Sequence, residues 1–328
     1  MSTNLASDAH ALFDFLSGLG LATHQSHKLL TVWPLVLGDE SQGADTPAYI
    51  TLSDAMERGD LVVDEVSEGG RVPHARVENR GDVAVLVLFG EEIRGAKQNR
   101  IANASFLVAS KSSVVIDVSC TEQGRWGRQT GATFTSTGEV LSSAIRRKMA
   151  GKVSAARAAG LRFGADQGEV WREIAARVHL SAARSPTGAY ADYLATRKRD
   201  LEELSHFFHP VPRQVGFVAA LGDEVVGLEA IGRPEVFTRA FSGLLKAYMI
   251  DAIDAAHVQE RSDSSHAAQR FDTPEGFVQA LAATSPTTTP SLGLGSDLRL
   301  EGSGIGGCAL VAGKVVHLTA FPATKKPN

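Results

Sequence analysis

The chain has 328 residues, of which 43% are hydrophobic and 21% charged, and its formal net charge is -4. This length can bury one large core or two joined ones, and the composition is that of an ordinary globular protein. The hydrophobic content excludes a disordered chain, and the net charge excludes a polybasic nucleic-acid-binding protein. The sequence therefore does not favour a nucleic-acid partner.

The N-terminal part predicts a helix and no membrane attachment. Residues Ala9 to Leu19 place leucine and phenylalanine on one helical face, which Gly20 ends. No run approaches the roughly 20 apolar residues that cross a bilayer, and Met1 to His10 lacks the basic and apolar regions of a signal peptide. Cys120 and Cys308 form no CxxC motif and are predicted to be buried free thiols, with a single disulfide bridge as the alternative. We therefore expect a cytoplasmic protein without a membrane partner.

Strand patterns dominate the next part of the chain. The strand candidates are Leu29–Leu37, Leu61–Val66, His74–Asn79, Val83–Phe89, Ile101–Ala109 and Ser113–Ser119. A small helix is predicted at Ser53 to Glu57. The short connections favour an antiparallel meander. Val83 to Phe89 is apolar on both faces, which predicts a buried central strand.

Helical patterns follow, and hairpins come after them. The predicted helices are Val140–Ala159, Gly168–Leu180, Tyr190–Phe208 and a long helix that begins at Pro234. The predicted hairpins are Gln214–Leu221 with Glu224–Ile231, and Cys308–Val311 with Lys314–Leu318. Thr284 to Ser291 is predicted to be a loop. The basic run from Arg146 to Arg162 is typical of a solvated helix face.

Together these patterns predict an α+β fold, in which a largely antiparallel β-sheet or sandwich is covered by long amphipathic helices. We expect an N-terminal helical segment over residues 1–25, a single α+β domain over 26–322 and a tail over 323–328. Within that domain, residues 26–126 are β-rich, 138–210 are helical and 213–322 are mixed.

One segment stands out for its polar chemistry. Glu91 to Arg100 mixes acids, bases, amides and glycines between apolar strand candidates. If this segment is extended, alternation places Glu92 and Arg94 on a common side, which Gln98 and Arg100 could share. Glycines let a ligand approach the backbone, as a binding site requires. A second polar segment runs from Cys120 to Trp126, and its convergence with the first is a hypothesis.

If the two segments converge, their side chains suit a phosphate-bearing ligand. Glu92 or Glu122 could act as a general base or a metal ligand, and Trp126 could stack on a base. The candidate phosphate ligands are Arg94, Arg100 and Arg125. The alternative is a ladder of Glu–Arg salt bridges with Trp126 in the core. His317 lies in an alternating apolar strand, where either an acid–base role or a buried structural role is consistent.

The same residues carry a resemblance. The motifs GEEIRGAKQNR (Gly90 to Arg100), SCTEQGRW (Ser119 to Trp126), QVGFVAALGDEVVGLEAI (Gln214 to Ile231) and VVHLTAF (Val315 to Phe321) span most of the chain from about Leu29. With them the sequence resembles the ADP-ribosylglycohydrolase and rhodanese-phosphatase associated protein domain. One departure is Thr121, where valine is usual.

The resemblance implies a role in NAD-derived or nucleotide metabolism, without a mechanism. It points to Glu91, Glu92, Gln98, Arg100, Glu122, Arg125, Trp126 and His317. Our prediction is an enzyme or ligand-processing protein that acts on a phosphate-bearing nucleotide or an ADP-ribose-type small molecule. The predicted catalytic residues are Glu92, Glu122 and His317, and the predicted ligand-binding residues are Glu91, Arg94, Gln98, Arg100, Arg125 and Trp126. The alternative is a non-catalytic binding or scaffold module. The cofactor, with a divalent metal among the candidates, and the oligomeric state are left open.

Overall fold

The computed structural model describes residues 5–38, 48–66, 73–95, 97–125, 134–181, 183–259 and 271–323. The described residues form eight helices and mostly antiparallel sheets, so the predicted α+β fold is confirmed. The helices are α1 (Leu5–Ser17), α2 (Leu52–Glu57), α3 (Ser143–Ala158), α4 (Gln167–Leu180), α5 (Tyr190–Thr196), α6 (Lys198–Ser205), α7 (Pro234–Gln259) and α8 (Pro274–Ala282). None of these helices is long and apolar enough to cross a membrane.

Eighteen strands lie between and after these helices in the described part of the chain. They are β1 (Leu19–Leu21), β2 (Gln25–His27), β3 (Leu30–Leu37), β4 (Tyr49–Thr51), β5 (Leu61–Glu65), β6 (His74–Asn79), β7 (Ala84–Val87), β8 (Glu91–Arg94), β9 (Arg100–Ala102), β10 (Phe106–Val108), β11 (Ser112–Cys120), β12 (Thr135–Val140), β13 (Gln214–Leu221), β14 (Glu224–Ile231), β15 (Thr287–Pro290), β16 (Ser296–Gly302), β17 (Ile305–Ala312) and β18 (Lys314–Pro322).

The largest sheet has nine strands in the order β1-β3-β13-β14-β18-β17-β16-β15, with β2 paired to β3. Because successive side chains of a strand point to opposite faces, its apolar residues divide between two cores. On one face Phe217 and Phe321 pack with Phe237 and Leu244 of α7. The other face packs against α1 and α8. Helices therefore cover both faces of this sheet.

Two smaller sheets enclose a third core. The six-stranded sheet has the order β12-β8-β9-β11-β6-β5, and the three-stranded sheet has the order β10-β7-β4. Val85, Val87, Phe106 and Ile116 belong to the core that these strands share. All four residues of β7 are buried, and β7 is the middle strand of its sheet. The predicted buried central strand is confirmed.

The structure corrects the prediction of a simple antiparallel meander. Strand β7 leaves the order of its sequence neighbours and pairs in parallel with β4. The single strand predicted at Ile101–Ala109 is two strands, β9 and β10, which belong to different sheets. The break falls at Asn103 and Ser105, whose side chains bond to Phe163 O at 2.9 Å and to Phe89 N at 3.0 Å. Polar side chains that bond to backbone elsewhere compete with a continuous ladder.

Two further elements differ from their predictions. The long helix expected from Tyr190 to Phe208 is divided into α5 and α6 at Arg197, which has φ -99° and ψ 2°. Thr287 to Pro290, inside the predicted loop, forms the edge strand β15. Threonine favours strands, and a proline is tolerated at the end of an edge strand. The hairpin formed by β13 and β14, and the start of α7 at Pro234, agree with the sequence.

Candidate functional site

The two polar segments lie side by side in the structure. Strands β8 and β9 form a hairpin, and β11 pairs antiparallel with β9, with Cys120 opposite Arg100. The end of β11 therefore meets the start of β9. The chain after β11 bonds to the hairpin: Thr121 N donates to Asn99 O at 2.9 Å, and Gln98 Nε2 donates to Glu122 O at 2.8 Å.

The side chains at this meeting point form two hydrogen-bonded groups, which the backbone bond from Thr121 N to Asn99 O connects and which together we call the polar cluster. Its members are Glu92, Arg94, Gln98, Asn99, Thr121, Glu122, Arg125 and Glu139. Glu139 was not among the predicted residues; it reaches the cluster from β12, the strand that pairs with β8. Strand pairing, which the sequence did not reveal, was the signal needed to find it.

One arm of the polar cluster leads from the interior to the surface. Glu92 accepts from Thr121 Oγ1 at 2.9 Å and from Arg94 Nε at 2.6 Å, and Arg94 also pairs with Glu139. Lys246 of α7 lies 3.8 Å from Glu139. The exposed fraction of the side chain rises from 2% at Glu92 to 30% at Arg94. Burial raises the pKa of Glu92, although Arg94 and Thr121 act to lower it.

The second arm centres on Glu122. Its Oε2 lies 2.7 Å from Arg125 Nη2 and accepts from Asn99 N at 3.3 Å, and its Oε1 accepts from Thr187 Oγ1 at 2.9 Å. Burial alone would raise the pKa of Glu122, but the hydrogen bonds from Arg125 and Thr187 lower it. Arg125 is 20% exposed, so this arm also ends in a guanidinium at the surface.

Arg100 lies outside the polar cluster. Its Nη2 donates to both carboxylate oxygens of Glu65, at 2.9 and 2.8 Å, and its side chain is 0% exposed. This pair ties β9 to β5 across the six-stranded sheet. Next to Arg100 on the neighbouring strand, Cys120 Sγ donates to Gln98 Oε1 at 3.0 Å. Burial raises the pKa of Cys120 to about 11, so the residue is a neutral thiol. Both cysteines are free and buried, as predicted.

Glu91 has neutral partners instead of arginines. It precedes Glu92 on β8, so its side chain points to the opposite face of the strand. The carboxylate accepts from Leu88 N at 3.0 Å and from Ser136 Oγ at 2.9 Å, and the residue is 1% exposed. Burial raises its pKa from 4.5 to about 7, since two neutral donors stabilise the charged form only in part.

The remaining predicted residues are not part of the polar cluster. His317 is fully buried on β18, where its Nδ1 lies 2.7 Å from Ser105 Oγ and its Nε2 lies 3.4 Å from Glu229. Trp126 lies outside the described residues. Within the described ranges, no group of three or more His, Cys, Asp or Glu side chains could hold a metal ion.

Two buried charges near His317 were missed at the sequence level. Arg146 was interpreted as part of a solvated basic helix face, yet it is 0% exposed and lies 2.8 Å from Glu229. Glu229 is an acid inside the otherwise apolar strand Val225 to Ile231. That exception to the strand's apolar pattern was the available signal, because a buried carboxylate requires a partner.

Comparison with known proteins identifies the family. The model of the ARG and Rhodanese-Phosphatase-superfamily-associated Protein domain matches residues 18–321, so the chain belongs to this family. The resemblance read from the four motifs is thereby confirmed. No curated protein and no solved structure matches the chain.

Proposed function

We propose that this family member binds a phosphate-bearing nucleotide or ADP-ribose-type small molecule at the polar cluster and processes it there. The observation that carries the proposal is that each arm of the cluster ends in a partly exposed arginine, Arg94 at 30% and Arg125 at 20%. Arginine binds phosphate with paired, charge-assisted hydrogen bonds. The family description, with its reference to ADP-ribose-processing proteins, agrees with such a ligand.

The arrangement suits phosphate because the arginines already hold anionic groups. Arg94 spans the carboxylates of Glu92 and Glu139, and Arg125 binds that of Glu122. A phosphate that approached from solvent would bind at the exposed edge of each guanidinium, while the buried carboxylates of Glu92 and Glu122 keep their pairs.

Behind the arginines lie two carboxyl groups whose pKa values are shifted in opposite directions. The pKa of Glu92 is raised and that of Glu122 is lowered, chiefly through differences in burial and in hydrogen bonding. A pair of acids whose pKa values differ in this way is typical of general acid–base chemistry. In our proposal Glu92 exchanges the proton with the ligand, while Glu122 positions Arg125. We expect the site to work in the cytoplasm, because both cysteines are free thiols.

The test measures ligand binding with matched arginine variants. We expect ADP-ribose to bind the wild type in isothermal titration calorimetry, and Arg125→Gln to weaken binding about tenfold or more through the loss of charge-assisted hydrogen bonds. The control is Arg80→Gln, which removes an exposed arginine paired with Glu78 outside the cluster. Arg100→Ala is unsuitable here, because Arg100 is fully buried. Absence of binding by ADP-ribose, NAD and inorganic phosphate alike would overturn the proposal.

A non-catalytic binding or scaffold module is the second candidate function. The observation in its favour is that three of the cluster's carboxylates, Glu92, Glu122 and Glu139, all pair with arginines. A turnover assay with bound ADP-ribose distinguishes the two functions. Turnover that is lost in Glu92→Gln while binding is retained supports processing. Binding without turnover by the wild type supports the module.

A further inference from the structure

A second polar network is enclosed between the nine-stranded sheet and the helices α3 and α7. We call it the buried array, and its members are Ser105, Arg146, Glu229, Tyr248, His317 and Thr319. Glu229 Oε1 accepts from Tyr248 OH at 2.8 Å and from Thr319 Oγ1 at 3.0 Å, and Arg146 Nη1 lies 2.8 Å from it. Ser105 is 4% exposed and the other five are 0% exposed.

The buried array touches the turn that begins β8 at two points. Phe89 N donates to Ser105 Oγ at 3.0 Å, and Ser105 Oγ is 2.7 Å from His317 Nδ1. The side chain of Arg146 lies against Gly90, where a Cβ atom would be only 2.4 Å from Arg146 Cδ. The backbone of Phe89 and Gly90 is thus fixed from both sides.

Ser105 connects the turn to the charged part of the buried array. Its Oγ accepts from Phe89 N and hydrogen-bonds His317 Nδ1, with the donor set by the histidine tautomer. On the other side of the ring, His317 Nε2 faces Glu229 Oε2 at 3.4 Å. The charge of Glu229 is balanced by Arg146, which together with His317 lowers a glutamate pKa that burial alone would raise.

The spatial series Ser105, His317 and Glu229 resembles the arrangement of a nucleophilic triad. The surroundings of these residues indicate another role. A nucleophilic serine must be reached by substrate, whereas Ser105 is buried and its oxygen is already bonded to Phe89 N. Glu229 faces Arg146 as well as His317. Its negative charge is therefore already balanced by an arginine, unlike that of a triad carboxylate, which stabilises an imidazolium. The buried array hydrogen-bonds to the backbone of the turn through Ser105 and Phe89 N, which is what a positioning residue does.

We propose that Ser105, His317 and Arg146 are positioning residues, which fix the Phe89–Gly90 backbone and thereby direct Glu92 into the polar cluster. Two backbone hydrogen bonds also restrict the conformation of this turn. Leu141 N donates to Gly90 O at 2.9 Å, and Glu91 N donates to Leu88 O at 3.0 Å. A rotation at Gly90 would move the two acids that follow it. The ligand in this inference, ADP-ribose, rests on the proposed function. The geometry rests only on the contacts to Phe89 and Gly90.

The experiment compares two buried serines that undergo the same substitution. Ser105→Ala removes the bond to Phe89 N, whereas the control Ser119→Ala removes a buried bond to Asn103 Oδ1 of 2.8 Å that does not involve the turn. Amide hydrogen exchange at Phe89 is measured by NMR, and ADP-ribose affinity by calorimetry. We expect Ser105→Ala to speed exchange at Phe89 and to weaken ADP-ribose binding, each by about tenfold, the size of one lost hydrogen bond. Ser119→Ala should change neither.

Each other outcome counts against a defined part of the idea. Unchanged exchange at Phe89 in Ser105→Ala overturns the positioning role. Faster exchange with unchanged ADP-ribose affinity also overturns it, because the turn is then not coupled to the site. If the wild type binds none of ADP-ribose, NAD and inorganic phosphate, the proposed function fails, and the exchange measurement still decides whether Ser105 holds the turn.

Discussion

The polar cluster and the buried array are both networks of acids and arginines, but they differ in access to water. Each arm of the cluster ends in an arginine that is 20–30% exposed, whereas Arg146 in the array is 0% exposed. A partly exposed arginine can bind a ligand anion at its exposed edge while it keeps its buried carboxylate, Glu92 or Glu122. A fully buried arginine is out of reach of such a ligand, and breaking its own pair would leave an unpaired buried charge, which is strongly unfavourable. Exposure, more than residue type, separates a candidate binding group from a structural one.

The largest expected effect tests the buried side of this comparison. Glu229→Gln leaves Arg146 charged and without its carboxylate, and we expect the free energy of unfolding to fall by about 3–5 kcal/mol. Urea denaturation followed by circular dichroism measures this loss. The same substitution at Glu301, an exposed residue on β16, should change the unfolding free energy by about 0.5 kcal/mol or less. Equal losses at both positions would remove the distinction between the array and an ordinary surface carboxylate.

The contact between Gly90 and Arg146 gives the next effect. Gly90 has φ +79°, and an added Cβ would lie 2.4 Å from Arg146 Cδ. Gly90→Ala therefore adds overpacking to backbone strain, a total of about 2–4 kcal/mol. Gly59 has a similar φ of +74° with nothing within 4 Å of the added atom, so Gly59→Ala should show only the strain, about 1 kcal/mol. Thermal denaturation of the two variants compares these terms directly, and similar losses would contradict the close contact.

The pH dependence of stability tests the buried carboxyl between the two networks. The pKa of Glu91 is raised from 4.5 to about 7 in the folded protein, so between these values the native state holds a proton that the unfolded chain releases. This contribution to stability is present below pH 4.5 and is lost as the pH rises through about 7. Its size is roughly 3 kcal/mol, because each pKa unit corresponds to about 1.4 kcal/mol.

Urea denaturation at several pH values between these limits measures that loss. We expect Glu91→Gln, which cannot ionise, to show a correspondingly smaller decline than the wild type. Glu57→Gln, a change at an exposed position of α2, should keep the decline of the wild type. A Glu91→Gln profile parallel to that of the wild type would mean that another group is responsible.

The smallest effect is expected at the rim of the polar cluster. Arg94 is 30% exposed, so Arg94→Gln should lower the free energy of unfolding by only about 1 kcal/mol or less, and less still at high salt. Glu92 can take up a proton once its arginine is gone, because burial already raises its pKa. Urea denaturation at low and high salt checks this. A loss as large as that of Glu229→Gln would show that the two networks do not differ as we describe.

Much of the local structure could be predicted because it depends on neighbours in sequence. The bounds of β6 at His74–Asn79 agree with the sequence, and so do the hairpin turn at Gly222-Asp223 and the start of α7 at Pro234. Glycine takes the positive φ that the turn requires, and proline fits the first helical position. The break between β9 and β10 could not be predicted, since the partners of Asn103 and Ser105 are distant in sequence.

Four features could be predicted from the sequence alone: the α+β class, the two free thiols, the family motifs and the place of the polar segments. These follow from short-range patterns that every fold of the chain must satisfy. Which charges share a network depended on tertiary contacts. Pairing of β11 with β9 brought Glu122 to the hairpin, and packing of α3 on the large sheet buried Arg146 against Glu229. Burial and partner choice depend on contacts between distant segments, so identical residue types became a surface arginine in one place and an enclosed one in another.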